Sequence, residues 1–367
     1  MLISHLRFTT IAAALCALAP LGSQAQVTIS GAMDLSVEAV NTGDPGGKAR
    51  QVSSGTVTSS RIVFSGREDL GGGMTAFFRL DMGLQGDTGA TLPGANINFG
   101  RTSIVGIEDR RWGQVALGRT GTPLIPMLNQ TDFGGIGYYG NNGSISQNLI
   151  GRASNGIYYT SPDMGGLTLR AVATLGLENP TPPKDQGRLL GLGAYYRAGK
   201  LNLAAAYQTS KERTATGTNL AVDDQTEAGL GGRYDFGWAT VNAGWYRIHQ
   251  VTPAASRDRA IPSNNTTSYW VGAVVPVGPQ GKRGLQVGQT KGDLKAAGLP
   301  EPKGTTWATY YAHSLSKRST LYVNYARVDN NAGSKLSLIP AAYNMRLRPA
   351  VNGSDPSALA AGIVHLF

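Results

Sequence analysis

The sequence predicts an all-β fold in which about sixteen antiparallel strands close into a transmembrane barrel. Three observations support this prediction. Apolar and polar residues alternate with period two along much of the chain, and short connections alternate with long ones. No stretch after residue 26 approaches the roughly 18 continuous apolar residues of a membrane helix. At roughly 21 residues for each strand and its connection, the mature chain has room for about sixteen strands.

Residues 1–25 are expected to be a cleaved signal peptide. Arg7 precedes an apolar run over 11–21, and residues 23–25 fit a cleavage site of the small-x-small type. The run is short for a membrane span, although an uncleaved anchor stays an alternative. The folded protein should therefore begin near residue 26.

Cysteine content and charge restrict the class of protein. Cys16 is the only cysteine and lies within the predicted signal peptide, so residues 26–367 form no disulfide, and we expect them to be one barrel domain. The chain has 33 Lys+Arg and 23 Asp+Glu, a net charge of +10, and loss of Arg7 leaves +9. The basic residues are dispersed, which together with the export signal argues against nucleic acid as a partner. Attraction of small anions is expected instead.

The first predicted strand, "VTISGAMDLSVEAV" over 27–40, shows the alternation most clearly. Val27, Ile29 and Val37 share one face, and Asp34 and Glu38 lie on the other. The same pattern recurs over 167–173, 201–208, 239–245, 269–275 and 321–325. A soluble all-β repeat protein would alternate in the same way, and it stays open as an alternative. The export signal, the absent cysteines and the loop asymmetry favour apolar faces turned to lipid.

The connections fall into two classes by length. Short turns are predicted at 68–73, 109–113, 162–166, 197–200, 235–237 and 315–319. Long polar stretches are predicted near 41–55, 85–96, 178–187, 209–225, 249–266, 291–304 and 328–356. Short turns at one end and long loops at the other are typical of outer-membrane barrels. Tyr and Trp near strand ends fit a lipid headgroup zone, although β-propensity alone also favours them there.

Three longer stretches carry a family resemblance. They are "SSRIVFSGREDLGGGMTAFFRLDMG" (59–83), "FGRTSIVGIEDRRWGQVALGRTGTP" (99–123) and "HSLSKRSTLYVNYARV" (313–328). The mature chain resembles general diffusion porins of Gram-negative outer membranes, in the beta-proteobacterial branch. The resemblance implies a homotrimer embedded in outer-membrane lipid, with no cofactor. Each barrel would be a water-filled channel for passive diffusion of ions and small hydrophilic solutes.

The chain ends in a strand pattern, "LAAGIVHLF" over 359–367, with an aromatic last residue. The resemblance implies that Phe367 belongs to a sorting signal for the barrel assembly machinery. It also implies that the last strand pairs with the first. Closure of this kind removes sheet edges, whose backbone groups lipid cannot hydrogen-bond.

The resemblance also implies a constriction formed by the third extracellular loop, placed at residues 121–154 and folded inward. A plain surface loop is the alternative. Arginines at matching positions would form an anion-attracting ladder, with two acidic residues as counter-charges. The arginines at matching positions are Arg61, Arg101 and Arg152. Strand parity independently places Arg61, Arg79, Arg67 and Asp81 on the lumen face, Arg119 lies at the entry to the loop, and Asp132 lies within the loop. The alternative for any one arginine is a salt bridge on the wall with no role in selectivity.

Other functions find little support in the residues. The mature chain has three histidines, His249, His313 and His365, and none lies in a GxSxG or HExxH context. We therefore predict that the protein is not an enzyme, and the lack of a His/Cys cluster predicts no metal site. A substrate-specific channel or an adhesin stays a third possibility, with Tyr138 and Tyr139 available to stack on a ligand.

Overall fold

The computed structural model describes residues 27–367 except 92–97, 136, 147–148, 177, 179–186, 217–218, 251–264, 294–297 and 339–348. The predicted signal peptide, residues 1–25, lies outside the described residues. None of the helices within the described part is long and apolar enough to cross a membrane.

The described chain is almost entirely β-sheet. Its strands are β1 Thr28–Asn41, β2 Lys48–Ser54, β3 Arg61–Gly71, β4 Met74–Gly83, β5 Thr102–Asp109, β6 Gly113–Gly121, β7 Arg152–Thr160, β8 Leu167–Thr174, β9 Leu189–Ala198, β10 Leu201–Thr216, β11 Asn219–Asp235, β12 Thr240–Gln250, β13 Asn265–Val277, β14 Gly281–Gly292, β15 Lys303–Ser314, β16 Ser319–Asn330 and β17 Ser357–Leu366. Two short helices, α1 Leu124–Gln130 and α2 Asn142–Ile145, lie between β6 and β7.

Seventeen strand segments fill sixteen positions in the sheet. The first residues of β1, Thr28–Ala32, pair with β3, whereas its later residues, Leu35–Asn41, pair with β2. β2 and β3 are therefore two halves of one strand position. From β3 to β17 each strand pairs antiparallel with its neighbour in sequence. The prediction of about sixteen strands is confirmed.

Pairing of the last strand with the first closes the sheet into a barrel. β17 pairs with β1 from Ala32↔Leu366 to Asn41↔Ser357. Beyond that register, Gly31 N donates to Phe367 O at 2.9 Å and Phe367 N donates to Gly31 O at 3.2 Å. The terminal residue thus completes the hydrogen bonding of the seam, as the family resemblance implied.

The two faces of the barrel wall have the polarity predicted from the alternation. Val37 is 66% exposed and Leu192 65% exposed, although both are aliphatic. On β1 the intervening residues Asp34, Ser36 and Glu38 are buried. A soluble fold hides apolar side chains and exposes carboxylates, so this pattern indicates a wall with lipid outside and a polar interior. The soluble alternative is thereby wrong.

Where the structure describes them, most connections lie where the sequence predicts, and two predicted loops are wrong. Parts of the predicted loops 85–96, 178–187, 249–266, 291–304 and 328–356 lie outside the described residues. Within 41–55, residues 48–54 form β2, and within 209–225 the strands β10 and β11 continue to residue 216 and from residue 219. Antiparallel pairing satisfies the backbone in water as well as in lipid, so a hairpin can extend beyond the membrane with polar side chains. The short connection 278–280 was not predicted.

Candidate pore site

Residues 122–151, between β6 and β7, pack against the polar faces of distant strands. Trp270 Nε1 of β13 donates to Thr131 O at 2.8 Å, and Ser268 Oγ of the same strand donates to Ile145 O at 3.0 Å. Further along, Tyr139 N donates to Asn324 Oδ1 of β16 at 2.7 Å. On the wall, the bonding groups belong to the buried, inward-facing side chains of Trp270, Ser268 and Asn324. The 122–151 segment is therefore fixed to the wall at several strands far from its own ends.

Glycines on the wall make room for this segment. A Cβ at Gly229 of β11 would overlap the Met127 side chain, and a Cβ at Gly288 of β14 would overlap Ile145. A larger residue at either position would force the Met127 or Ile145 side chain to shift, so glycine favours the close approach of the segment to the sheet. Part of the high glycine content is thus explained by contact between the wall and the segment.

Glu227 fastens the C-terminal end of the 122–151 segment. This buried carboxylate of β11 accepts hydrogen bonds from Ile150 N at 3.2 Å and from Tyr246 Oη at 2.7 Å. Gln208 Nε2 and Gln225 Nε2 donate to it at 3.1 Å and 2.9 Å. A buried carboxylate is tolerated only with such partners, so this group is a fixed anchor rather than a charge exposed to the pore.

Glu38 of β1 fastens the middle of the segment. It accepts hydrogen bonds from Tyr139 Oη at 2.5 Å and from Thr56 Oγ1 at 2.8 Å. Ser36 Oγ and Gln51 Nε2 donate to the same carboxylate at 2.9 Å and 3.1 Å.

Asp34 holds the link between β2 and β3. Its Oδ2 accepts from Val57 N at 2.6 Å and Thr58 N at 2.8 Å, and its Oδ1 accepts from Tyr322 Oη at 2.7 Å. No site role was predicted for Asp34, Glu38 or Glu227. The signal in the sequence was the position of each residue on the polar face of a strand. For Asp34 and Glu38 the alternation of β1 already displayed it.

The structure places the predicted counter-charge Asp132 in the frame of the segment. It is buried, and its Oδ1 accepts from Asn142 N at 2.9 Å and from Gln286 Nε2 of β14 at 3.0 Å. Its Oδ2 accepts from Gly134 N at 3.1 Å. In these three hydrogen bonds the donors are two backbone N–H groups and one side-chain amide. The role of Asp132 as a counter-charge stays a prediction.

The expectation that Tyr138 and Tyr139 could stack on a ligand is wrong. Tyr138 stacks on Tyr310 of β15, with ring centroids 3.9 Å apart and planes at 3°, and Phe133 packs edge-on against both. Tyr139 is buried with its hydroxyl on Glu38. Both rings serve the packing of the segment against the wall.

Three of the predicted arginines gather around Asp81 on β4. Arg101 Nε donates to Asp81 Oδ1 at 3.1 Å, and Arg79 Nη2 donates to Asp81 Oδ2 at 3.4 Å. Arg61, at the start of β3, donates to Thr58 Oγ1 at 2.8 Å and lies close enough to Arg79 and Arg101 for electrostatic repulsion. The acidic residue thus pairs with arginines on its own side of the barrel.

Two further predicted arginines continue the cluster. Arg152 Nε donates to Arg101 O at 3.2 Å, and Arg119 Nε donates to Gly100 O at 2.8 Å. Arg119 and Arg152 repel each other electrostatically. We call the five residues Arg61, Arg79, Arg101, Arg119 and Arg152 the arginine cluster. Arg67 lies apart from it in an ion pair with Glu108.

A cleft of about 310 Å³ lies between α1 and the wall formed by β5–β8. Its charged lining consists of Arg101, Arg152, Arg170 and Asp81. Arg170 of β8 also lies over the Tyr195 ring, 5.6 Å from the centroid. It was not predicted as a site residue, although its polar parity on β8 was visible in the sequence. The cleft therefore has a basic majority among its charged groups.

The three mature histidines lie on different strands. His313 Nδ1 is 3.2 Å from Tyr311 Oη, and His365 Nδ1 is 2.9 Å from Ser319 Oγ. His249 Nδ1 is 2.5 Å from Asn265 Oδ1. Within the described residues, no group of three or more His, Cys, Asp or Glu side chains is placed to bind a metal ion.

A closed barrel with an apolar outer face and a polar interior is the architecture of an outer-membrane channel. The chain belongs to the Gram-negative porin family, whose model matches residues 11–333. It is 30% identical to outer membrane porin protein 32 of Delftia acidovorans over 356 residues, which is 94% of this chain and 95% of that protein.

Two further comparisons agree. An outer membrane porin protein of Bordetella pertussis is 26% identical over 309 residues, covering 74% of this chain and 78% of the relative. The anion-selective porin from Comamonas acidovorans has a TM-score of 0.76 at 28% identity, over 94% of this chain and all of that one. The protein is thus an outer-membrane porin, a channel for passive diffusion, as the sequence predicted.

Proposed function

We propose that this porin passes anions in preference to cations and that the arginine cluster sets the preference. The observation that carries the proposal is the gathering of five arginines on and beside β3–β7, two of which, Arg79 and Arg101, form salt bridges with Asp81. Fixed charges lining a narrow pore set ion preference. The formal charge of +10 and the likeness to an anion-selective porin support the same conclusion.

The 122–151 segment is the proposed constriction, close to the predicted 121–154. Support comes from its hydrogen bonds to inward-facing side chains of β11, β13, β14 and β16, which require it to lie on the polar side of the wall. A sixteen-stranded barrel otherwise encloses a wide aqueous lumen. The arginine cluster lies where this segment leaves and rejoins the sheet, so permeating ions would meet both together.

The test removes three arginines of the cluster at once, as Arg61→Ala/Arg101→Ala/Arg152→Ala. The reversal potential of the channel is measured in a planar bilayer under a KCl gradient. The wild type should give the sign for chloride preference, and the triple variant should move clearly toward cations. An unchanged reversal potential in the triple variant would reject the assigned role.

A matched control removes three charges outside the lumen, as Arg110→Ala/Lys200→Ala/Arg318→Ala. These residues lie in the short connections after β5, β9 and β15. The control should keep the wild-type reversal potential. A control shift equal to that of the cluster variant would mean that net charge, rather than position, sets the preference.

Solute range, catalysis and assembly complete the proposal. We infer general diffusion of small anions and hydrophilic solutes, because the tyrosines suggested for ligand stacking are buried. Liposome swelling should fall smoothly with sugar size, and a sharp preference for one sugar would contradict this. We also infer that the protein is not an enzyme, because its three mature histidines lie on different strands.

We also infer a homotrimer assembled in outer-membrane lipid by the barrel assembly machinery, with Phe367 as part of its signal. Conductance should rise in triplets, and deletion of Phe367 should reduce the heat-modifiable folded form.

A further inference from the structure

Two basic residues outside the arginine cluster face the interior of the barrel. On β11, Arg233 has the same parity as the buried Glu227, whereas Leu230 of the other parity is exposed on the outer face. On β14, Lys282 has the parity of the buried Gln286. Because side chains alternate along a strand, both cations lie on the inner face.

The pair lies at a different depth from the arginine cluster and on the opposite side. Arg233 is two residues before the end of β11 and Lys282 is the second residue of β14, next to the short connections 236–239 and 278–280. Since β2 and β3 share one position, β11 and β14 are the tenth and thirteenth of sixteen, against the second to sixth for β3–β7. Short connections mark the periplasmic end of an outer-membrane barrel.

No carboxylate neutralises this pair within the described residues. Neither Arg233 nor Lys282 takes part in a salt bridge among them, and the two side chains are close enough to repel each other. The acidic residue nearest in sequence on the same face, Asp235, uses its Oδ1 to accept from Gly237 N at 2.7 Å in the turn. Arg233 also lies near the ring of Tyr310, beside the 122–151 segment.

We propose that Arg233 and Lys282 are a second anion-attracting element at the periplasmic mouth, opposite the arginine cluster and in series with it. The proposal rests on the proposed channel function and adds two specificity-determining residues to it. The ions concerned are small inorganic anions such as chloride and phosphate. An anion that passes the 122–151 segment would meet a second positive potential before leaving the pore. This potential comes from the side of the wall opposite the arginine cluster.

The test variant is Arg233→Gln/Lys282→Gln, measured as reversal potential with the KCl gradient applied in each direction. One unit charge about 10 Å from the ion path in water changes local anion concentration by roughly a factor of two. Two charges acting oppositely on chloride and potassium would change the permeability ratio by up to about sixteenfold without screening. Screening over about one Debye length reduces this, so the ratio should fall by about twofold to fourfold. The fall should be larger with dilute salt on the periplasmic side, because screening is weaker there.

Two controls make the outcome decisive. Lys200→Gln/Arg318→Gln removes two charges from turns at the same end, and Arg233→Lys/Lys282→Arg keeps the charge at the proposed positions. Only the test variant Arg233→Gln/Lys282→Gln should lower the permeability ratio. Normal heat-modifiable migration would confirm that each variant folds. A ratio equal to that of wild type, or the same fall in the turn control, would overturn the proposal. A wild type that prefers potassium would reject the proposed anion preference, whereas the shift between variant and wild type still decides the role of this pair.

Discussion

Four acidic residues of the barrel interior differ from the arginine cluster in what surrounds their side chains. Asp34, Glu38, Asp132 and Glu227 are each at most 1% exposed, and each accepts at least three hydrogen bonds. In the arginine cluster, by contrast, the side chains of Arg79 and Arg101 are 45% and 20% exposed. The acids hold the 122–151 segment and its neighbours in place, and the arginines stay in contact with water.

This difference bears on how the electrostatic potential of the lumen arises. An inward-facing carboxylate would be expected to offset an inward-facing arginine, but a buried, hydrogen-bonded carboxylate acts on its immediate donors rather than on permeating ions. Charges at the water boundary act on ions directly. Substitutions among the acids should therefore change structure, and substitutions among the arginines should change ion preference.

The largest structural effect is expected for Glu227→Ala. It leaves Ile150 N–H, Tyr246 Oη and Gln208 Nε2 without this acceptor, and each unsatisfied buried group costs about 1–3 kcal/mol. The end of the 122–151 segment should loosen. Single-channel records should become noisy, and chymotrypsin should cut the segment faster than in wild type.

The matched control for that change is Glu227→Gln, which keeps the size and one acceptor oxygen at the same position. Its protease resistance should lie between those of wild type and the alanine variant. If Glu227→Ala is cleaved as slowly as wild type, the anchoring role of this carboxylate is wrong.

A second, smaller effect is expected where the wall is kept free of side chains. Gly288→Val would place two methyl groups where Ile145 now packs, and overpacking of this kind costs about 1–3 kcal/mol. The segment should move away from β14 toward the pore axis, so the single-channel conductance should fall. Val287→Leu adds volume at the adjacent residue on the outer face and should leave the conductance unchanged; equal conductance in the two variants would contradict the close approach.

The alternation of residues made most of the fold predictable from the sequence, because a period of two fixes which face each residue occupies. Arg61, Arg79 and Asp81 were placed on the inner face by that parity, and the structure has them together. The partners of Asp132 could not be predicted in this way. They come from β14, more than 150 positions along the chain, and depend on the path of an irregular segment. The same applies to the stacking of Tyr138 on Tyr310.

Strand ends were less predictable than strand faces. The polar composition of 209–225 indicated a loop, yet β10 and β11 continue through most of it. Polar residues in a hairpin outside the membrane carry no apolar alternation, so periodicity loses its signal there while backbone pairing persists. The alternation along each strand indicates that Arg233 and Lys282 face inward. The closeness of the two side chains, by contrast, depends on the curvature of the barrel.

The smallest effect concerns pH and a contact between two connections. Asp44, between β1 and β2, accepts from Ala350 N at 2.8 Å, Val351 N at 3.3 Å and Ser354 Oγ at 2.6 Å. Slight burial raises the pKa of Asp44, but these hydrogen bonds outweigh it, so the pKa lies below its ordinary value. The stabilisation is therefore present above about pH 4 and is lost as pH falls through the lowered pKa.

The corresponding variant is Asp44→Asn, which should lower the thermal midpoint slightly at pH 7 and make no difference near pH 2. Asp87→Asn, at an exposed residue of the connection after β4, is the control and should match wild type at both values. A deficit of the Asp44 variant that persists undiminished at pH 2 would show that the carboxylate charge is not what holds the two connections together.

The proposed ion preference of the lumen depends on charges that face water and not on buried ones. The most direct test compares the reversal potentials of Glu38→Gln/Glu227→Gln and of Arg61→Ala/Arg101→Ala/Arg152→Ala under one KCl gradient. The carboxylate variant should match wild type, and the arginine variant should move toward potassium. A carboxylate variant that shifts as far toward chloride as the arginine variant shifts toward potassium would contradict the account.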